Sequence, residues 1–301
     1  MIDILTRAGC FVAIILLGVI LRRVGFFKRE DFNLLSKIVI RITLPAAIIT
    51  NLAGREFEYS LFILVAIGLI YGVVLMSAAY VINRKRGSAD KAFAVLNMSG
   101  VNVSNFVLPF AHGFLGPEGV LAVSLFDVGN GAICLGGAYS IAGMIKEKQK
   151  RFSVMPILKN LVKSVPLVTY VIMFILCLLH INLPGPVVDL AGIVGNANAF
   201  LAMLMLGVGF RIDRSRIPEV LRILVPRYVI GLVFAALCWF LLPVPAVYRQ
   251  TLVIPLLGPV SSAVPAFTAQ LKGDYELSSA INSFSILISI VMIIAALLII
   301  L

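Results

Sequence analysis

Apolar residues in this chain fall in long runs rather than in alternation, and polar residues gather in short clusters between the runs. Most runs approach the ~20 residues an α-helix needs to cross ~30 Å of hydrocarbon. Ten membrane-spanning helices are predicted, at roughly 4–21, 32–53, 60–82, 89–113, 118–144, 156–180, 185–210, 220–242, 247–271 and 276–301. No polar block between them is long enough for a soluble domain, so residues 1–301 are expected to form one integral membrane unit. The first run does not read as a cleaved leader. Arg22 and Arg23 follow it rather than precede it, and no small-residue cleavage site accompanies it.

Two spans carry residues that a lipid-facing helix avoids. Span four contains GVNVSNFVLP (100–109), with Gly100, Asn102, Ser104, Asn105 and Pro109; span nine contains GPVSSAVPAF (258–267), with Gly258, Pro259, Ser261, Ser262 and Pro265. Proline removes a backbone donor and glycine weakens a helix interior. The backbone groups so freed would each cost several kcal/mol against lipid, so both segments belong inside the protein or along a wet cavity.

The two segments are also related by position. A shift of 158 places Gly100 on Gly258, Ser104 on Ser262, Glu118 on Glu276 and Phe126 on Phe284. The expected fold is therefore all-α, with two five-helix repeats (1–150 and 151–301). Five spans being an odd number, the second repeat inserts upside down. Matching interruptions in inverted halves point to a transporter binding site. Asn102, Ser104, Asn105, Ser261 and Ser262, with Asn130 of span five, are the candidate substrate-binding residues; Gly100, Pro109, Gly258, Pro259 and Pro265 are the candidate helix breaks. Half-helices starting near the breaks would aim partly positive N-termini at one point, which suits a carboxylate. The competing reading is a pair of kinked structural helices whose polar groups serve packing.

Composition sharpens this picture. The chain is 61% apolar and only 13% charged, against about half and a quarter in soluble domains. Its net charge of +11 does not call for nucleic acid, because the basic residues lie in short loops. Twenty of the 25 Lys and Arg follow spans one, three, five, seven and nine, among them Arg22, Arg84, Lys146, Arg211, Arg227 and Lys272. The positive-inside rule makes those loops cytoplasmic and puts both termini outside, as in a protein of a bacterial cytoplasmic membrane. Cys10, Cys134, Cys177 and Cys238 lie in apolar runs without metal-ligand spacing, so neither a disulfide nor a metal or other cofactor is expected.

Asp127, in the run FDVGN, is the one carboxylate deep within a span and is a functional candidate by default. It could carry a coupling proton, help hold Na+ together with Asn130 and crossover carbonyls, or make a structural bond between helices. Lys37 and Arg41 share one face of span two; Arg41 could meet an anion or pair with Asp127, while Lys37 reads as snorkelling. His112, at the end of span four, reads as an interfacial residue that could titrate. Glu118 and Glu276 read as helix-start carboxylates. An intramembrane enzyme lacks a second deep carboxylate, a partnered serine and HExxH; a channel lacks a repeated filter sequence. A receptor reusing a transporter site is the remaining alternative.

The stretches GVNVSNFVLPFAHGFLGPEGVLAVSLFDVGNG (100–131) and SAVPAFTAQLKGDYELSSA (262–280) resemble the crossover regions of the auxin efflux carrier family. That family includes plant auxin exporters and bacterial permeases for malate-like acids, and it belongs with the bile acid/sodium symporters in a wider superfamily. The resemblance implies ten helices in which the fourth and ninth are unwound and cross. It implies a scaffold within 1–55 and 156–210, often the interface of a homodimer, and a mobile transport domain within 60–145 and 220–301. The implied activity is elevator-type transport of a small organic anion, with a sodium-coupled bile acid-type symporter as the alternative. Asn102 and Pro109 match the family's first crossover. Ser104 and Val107 stand where members commonly have glycine, Ser261 and Pro265 replace a Pro and an Asn of the second crossover, and Phe200 stands where a proline often matches Pro45.

Overall fold

The apolar runs become helices with greasy outer faces and polar inner ones. The computed structural model describes residues 2–28, 30–55, 59–147, 162–211 and 214–300, and these are helical apart from turns and one isolated bridge. In chain order the helices are α1 (Ile2–Arg23), α2 (Asp31–Leu52), α3 (Ile63–Ile82), α4 (Ser88–Met98), α5 (103–114) and α6 (116–147). They continue with α7 (Val165–Leu178), α8 (Gly185–Gly209), α9 (Ile217–Leu241), α10 (Ala246–Leu256), α11 (Val264–Gln270) and α12 (Tyr275–Ile300). Six of these, α1, α2, α3, α8, α9 and α12, are long and apolar enough to cross a membrane. The start expected for span six, 156–161, lies outside the described residues.

Helix α12 shows the inside-out pattern most clearly. Ser278, Asn282, Ser285 and Ser289 recur at helical spacing and turn inward, while Leu287, Val291 and Ile299 face out. Exposed Leu16, Ile20, Ile70, Val73, Val229 and Phe240 extend the apolar exterior over α1, α3 and α9. This is an integral membrane protein by its surface as well as by its helix lengths.

Packing falls into two groups. Helix α8 packs along α1 and α2, and α7 packs on α2; the other group joins α3 to α6 and α9 to α12. Close approach within the second group needs glycine: a Cβ at Gly129 would collide with the Val65 backbone, and one at Gly68 with the Phe126 carbonyl. Where α3 crosses α6, therefore, backbone meets backbone.

The prolines act differently from expectation. Neither Pro109 nor Pro265 breaks its helix. Pro265 is the second residue of α11, where a missing N–H removes no helix bond. Pro109 lies within α5, which runs through it by widening: Val103–Val107 forms a π turn, and the Leu108 N–H bonds the Val103 carbonyl five residues back. Pro45 sits after an identical π turn, Val39–Thr43, in α2. A proline cannot donate to the carbonyl four residues earlier and its ring pushes that carbonyl aside, so the turn takes up an extra residue. The breaks themselves are 99–102 and 257–263, and they do hold Gly100, Gly258 and Pro259. Gly100 has φ 76°, a conformation costly for any other residue there. Arg227, expected among loop charges, is instead inside α9 and only 1% exposed.

Candidate functional site

Two helix breaks in an apolar surrounding leave backbone donors and acceptors that must be matched. Here they are matched largely by each other and by four helices. Val101 and Val260 form an antiparallel bridge, and the Asn102 N–H donates to the Pro259 carbonyl at 2.9 Å. Asn130 of α6 clasps Val101, accepting its N–H and donating to its carbonyl, both at 2.9 Å. The second break is held in a parallel way by α12: Ser285 Oγ accepts the Val260 N–H at 3.0 Å, and Asn282 donates to the Val260 carbonyl at 2.8 Å. Tyr71 donates to Leu256 at 2.8 Å and Ser289 to Leu257 at 2.7 Å.

Arg227 completes the set. Its guanidinium donates to the Met98 carbonyl at the end of α4, and to Gly258 at 3.1 Å and Pro259 at 3.4 Å beyond the end of α10. Carbonyl ends of helices carry partial negative charge, so one buried cation serves two of them at once. The planar fork of arginine suits this bridging; a lysine point charge does not.

The crossing segments wall one side of a cavity of about 110 Å³, which α2, α6 and the start of α7 close. All six candidate binding residues, Asn102, Ser104, Asn105, Asn130, Ser261 and Ser262, line it, as does Asp127. Asp127 accepts from Ser104 Oγ at 2.5 Å and from Asn130 Nδ2 at 3.0 Å. Both donors are neutral, and among the described residues Asp127 is the one carboxyl or cationic group in the lining. Asn105 donates to Ser262 Oγ at 3.1 Å, joining the two breaks through side chains. Tyr170 and Ser164 of the α7 region, neither of them among the candidate binding residues of the sequence, also line the cavity.

Hydrogen bonding at this cavity is incomplete. Among the described residues, Asn102 Nδ2, Asn105 Oδ1 and Arg222 Nε are buried side-chain polar atoms without a partner, while Tyr170 Oη and Ser124 Oγ have only each other. Asn102 and Asn105 line the cavity, as does Tyr170. Asn102 and Asn105 are each 4% exposed, so bulk water does not satisfy them. An orphaned buried group costs about 1–3 kcal/mol, and native structures tolerate few. Donors and acceptors held ready at one point suit a polar solute.

Other sequence candidates lie elsewhere. Lys37 and Arg41 are exposed on α2 and do not line the cavity. The expected pairing of Arg41 with Asp127 is not formed: the carboxylate's partners are Ser104 and Asn130. His112 is 2.6 Å from Asn51 and lines a separate cavity of about 280 Å³ between α2, α5 and α8. Glu118 and Glu276 are exposed in the first turns of α6 and α12. The sequence did hold signals for the missed residues. Arg227 is a charge seven residues into the span expected at 220–242, and Asn282 and Ser285 interrupt another.

A protein of Methanothermobacter thermautotrophicus (strain Delta H), described as an uncharacterized transporter, is similar to this chain. The two are 28% identical over 120 residues, a match covering 38% of this chain and 40% of that protein. No family model matches the chain. The helical, membrane-type structure and this likeness together support a transporter in the general sense.

Proposed function

We propose that the chain is a secondary transporter that carries a small carboxylate, together with a cation, through the cavity between the two helix breaks. The observation that carries this reading is the pair of unpartnered polar atoms of Asn102 and Asn105 around one cavity. The cavity, about 110 Å³, is roomy enough for several waters or for a small acid. Helix α11 has seven residues, so recognition rests on the lining side chains rather than on paired helix dipoles.

Charge sets the coupling. With Asp127 ionised, the lining is net negative and repels a carboxylate, and a proton or Na+ at Asp127 removes that repulsion. Asp127 is thus the proposed coupling group. The ten-span inverted repeat is the proposed architecture, with broken spans four (α4, α5) and nine (α10, α11). The packing of α1, α2, α7 and α8 apart from the remaining helices supports a scaffold and a moving body in an elevator-type cycle. A homodimer through that scaffold, and termini on the outer face of a bacterial cytoplasmic membrane, complete the proposal. A second reading, a small zwitterion or amine as substrate, is favoured by the lone carboxylate in the lining.

The test is a binding screen of two- to four-carbon acids and matching amino acids with purified protein. It is run at two pH values, with and without sodium, followed by uptake into proteoliposomes. Saturable acid binding that needs a proton or sodium, with accumulation in the lumen, is expected. Amino acid binding alone selects the second reading, and stoichiometric binding without accumulation makes the protein a receptor.

A further inference from the structure

A second polar cavity, of about 270 Å³, abuts the crossing from one membrane face. It lies between the two packing groups: α1, α2 and α8 on one side, α11 and α12 on the other. Ser262 lines both this cavity and the central one, so the two meet at a single side chain. Among the described residues, the charged ones lining it are Arg22, which donates to the Val208 carbonyl at 2.9 Å, and Arg211. Hydroxyls of Ser279 and Ser283 add further hydrogen-bonding groups to the wall.

Arg211 is fixed in place. Its backbone N–H donates to Ser283 Oγ at 2.8 Å, and its guanidinium pairs with Glu276. The pair is lopsided: the Arg211 side chain is 20% exposed and that of Glu276 is 65% exposed. The carboxylate therefore stands on the solvent side while the cation stands on the cavity side. A well-hydrated surface carboxylate holds its partner weakly, by about 0–1 kcal/mol. An anion entering the cavity can take over the guanidinium at little cost.

We propose that this cavity is a peripheral anion station, where Arg211 and Arg22 collect a carboxylate from solution before it reaches Ser262, with Glu276 as the built-in competitor for Arg211. The role rests on the transporter reading, but the anion affinity is measurable without it. The probe is bromide, located by anomalous scattering in crystals of the whole protein soaked in sodium bromide. A peak beside Arg211 is expected in the wild type, displaced by an excess of malate. Arg211→Gln should reduce it at least about twofold, Arg211→Lys should keep it, and Glu276→Gln should strengthen it by relieving competition. A merely structural ion pair predicts the reverse for Glu276→Gln, namely a disordered Arg211 and a weaker peak. That result, or equal peaks in all variants, or none in the wild type, overturns the station. Failure of transport with the bromide result intact would overturn only the transporter reading.

Discussion

Asn102 and Asn130 lie in one cavity and look alike in sequence, yet their substitution should have opposite consequences. Asn130 makes four hydrogen bonds, to both backbone groups of Val101, to Asp127 and from the Cys134 thiol. Alanine there orphans the Val101 N–H and leaves the Val101 carbonyl and Asp127 with fewer partners, Cys134 and Ser104 among them, a loss of roughly 2–5 kcal/mol of stability. The Asn102 side chain contributes a buried Nδ2 without any partner. Alanine at 102 relieves about 1–3 kcal/mol of desolvation and loses a similar amount of packing, so stability should change by about 1 kcal/mol or less. Ligand affinity should move the other way. Stripping a donor from the bound solute costs about 1–3 kcal/mol, which raises Kd about 5- to 150-fold. Thermal melts read by Trp239, the only tryptophan, separate the first effect, and calorimetric titration with the acid found by screening separates the second. An Asn102→Ala protein as destabilised as Asn130→Ala, with wild-type affinity, would refute the assignment of Asn102 to the ligand.

Three further outcomes are expected. Asp127→Asn keeps the size of the side chain and its contact with Ser104, so substrate binding should survive while dependence of uptake on pH or sodium disappears; retained ion dependence would make Asp127 structural. Arg227→Met should cost about 3–5 kcal/mol in melts, because Met98, Gly258 and Pro259 carbonyls lose their shared donor, and Arg227→Lys should recover only part. A cysteine pair, Ile40→Cys with Val103→Cys, joins α2 to α5 across the central cavity in a background without native cysteines, and locking it should halt uptake. Uptake at the normal rate after crosslinking would replace sliding bodies with a fixed site and moving gates.

Much of the architecture was legible because lipid imposes a simple length rule, and observed helix ends fall within a few residues of the apolar runs, as with 185–210 against Gly185–Gly209. The pairing of the breaks was legible too: the shift of 158 aligns Val101 with Pro259, one residue from the bridge to Val260. Local rules failed at the prolines, because a π turn lets a helix pass through Pro109 and an N-terminal position lets it accept Pro265. Arg227 was lost to a counting rule. Charges near span ends were assigned to loops by sign alone, whereas its buried position depends on two carbonyl ends brought together from 129 and 31 residues away. Tyr170 joins the cavity only through the packing of α7 on α2, which no local pattern encodes.

The buried Arg227 and Asp127 have one more consequence, for the response to voltage. Both belong to the packing group that contains the breaks. If that body moves through the bilayer, each elementary charge it carries does work of about 2.3 kcal/mol per 100 mV. With Asp127 ionised the two charges have opposite sign, and the empty carrier resets almost independently of membrane potential. A loaded carrier then feels the field only through its cargo and co-ion. An anion moving with one proton or one sodium ion would be electrically silent, while a second cation would draw inward current in a negative-inside vesicle. Current measured across a planar membrane therefore counts the ions that accompany each substrate.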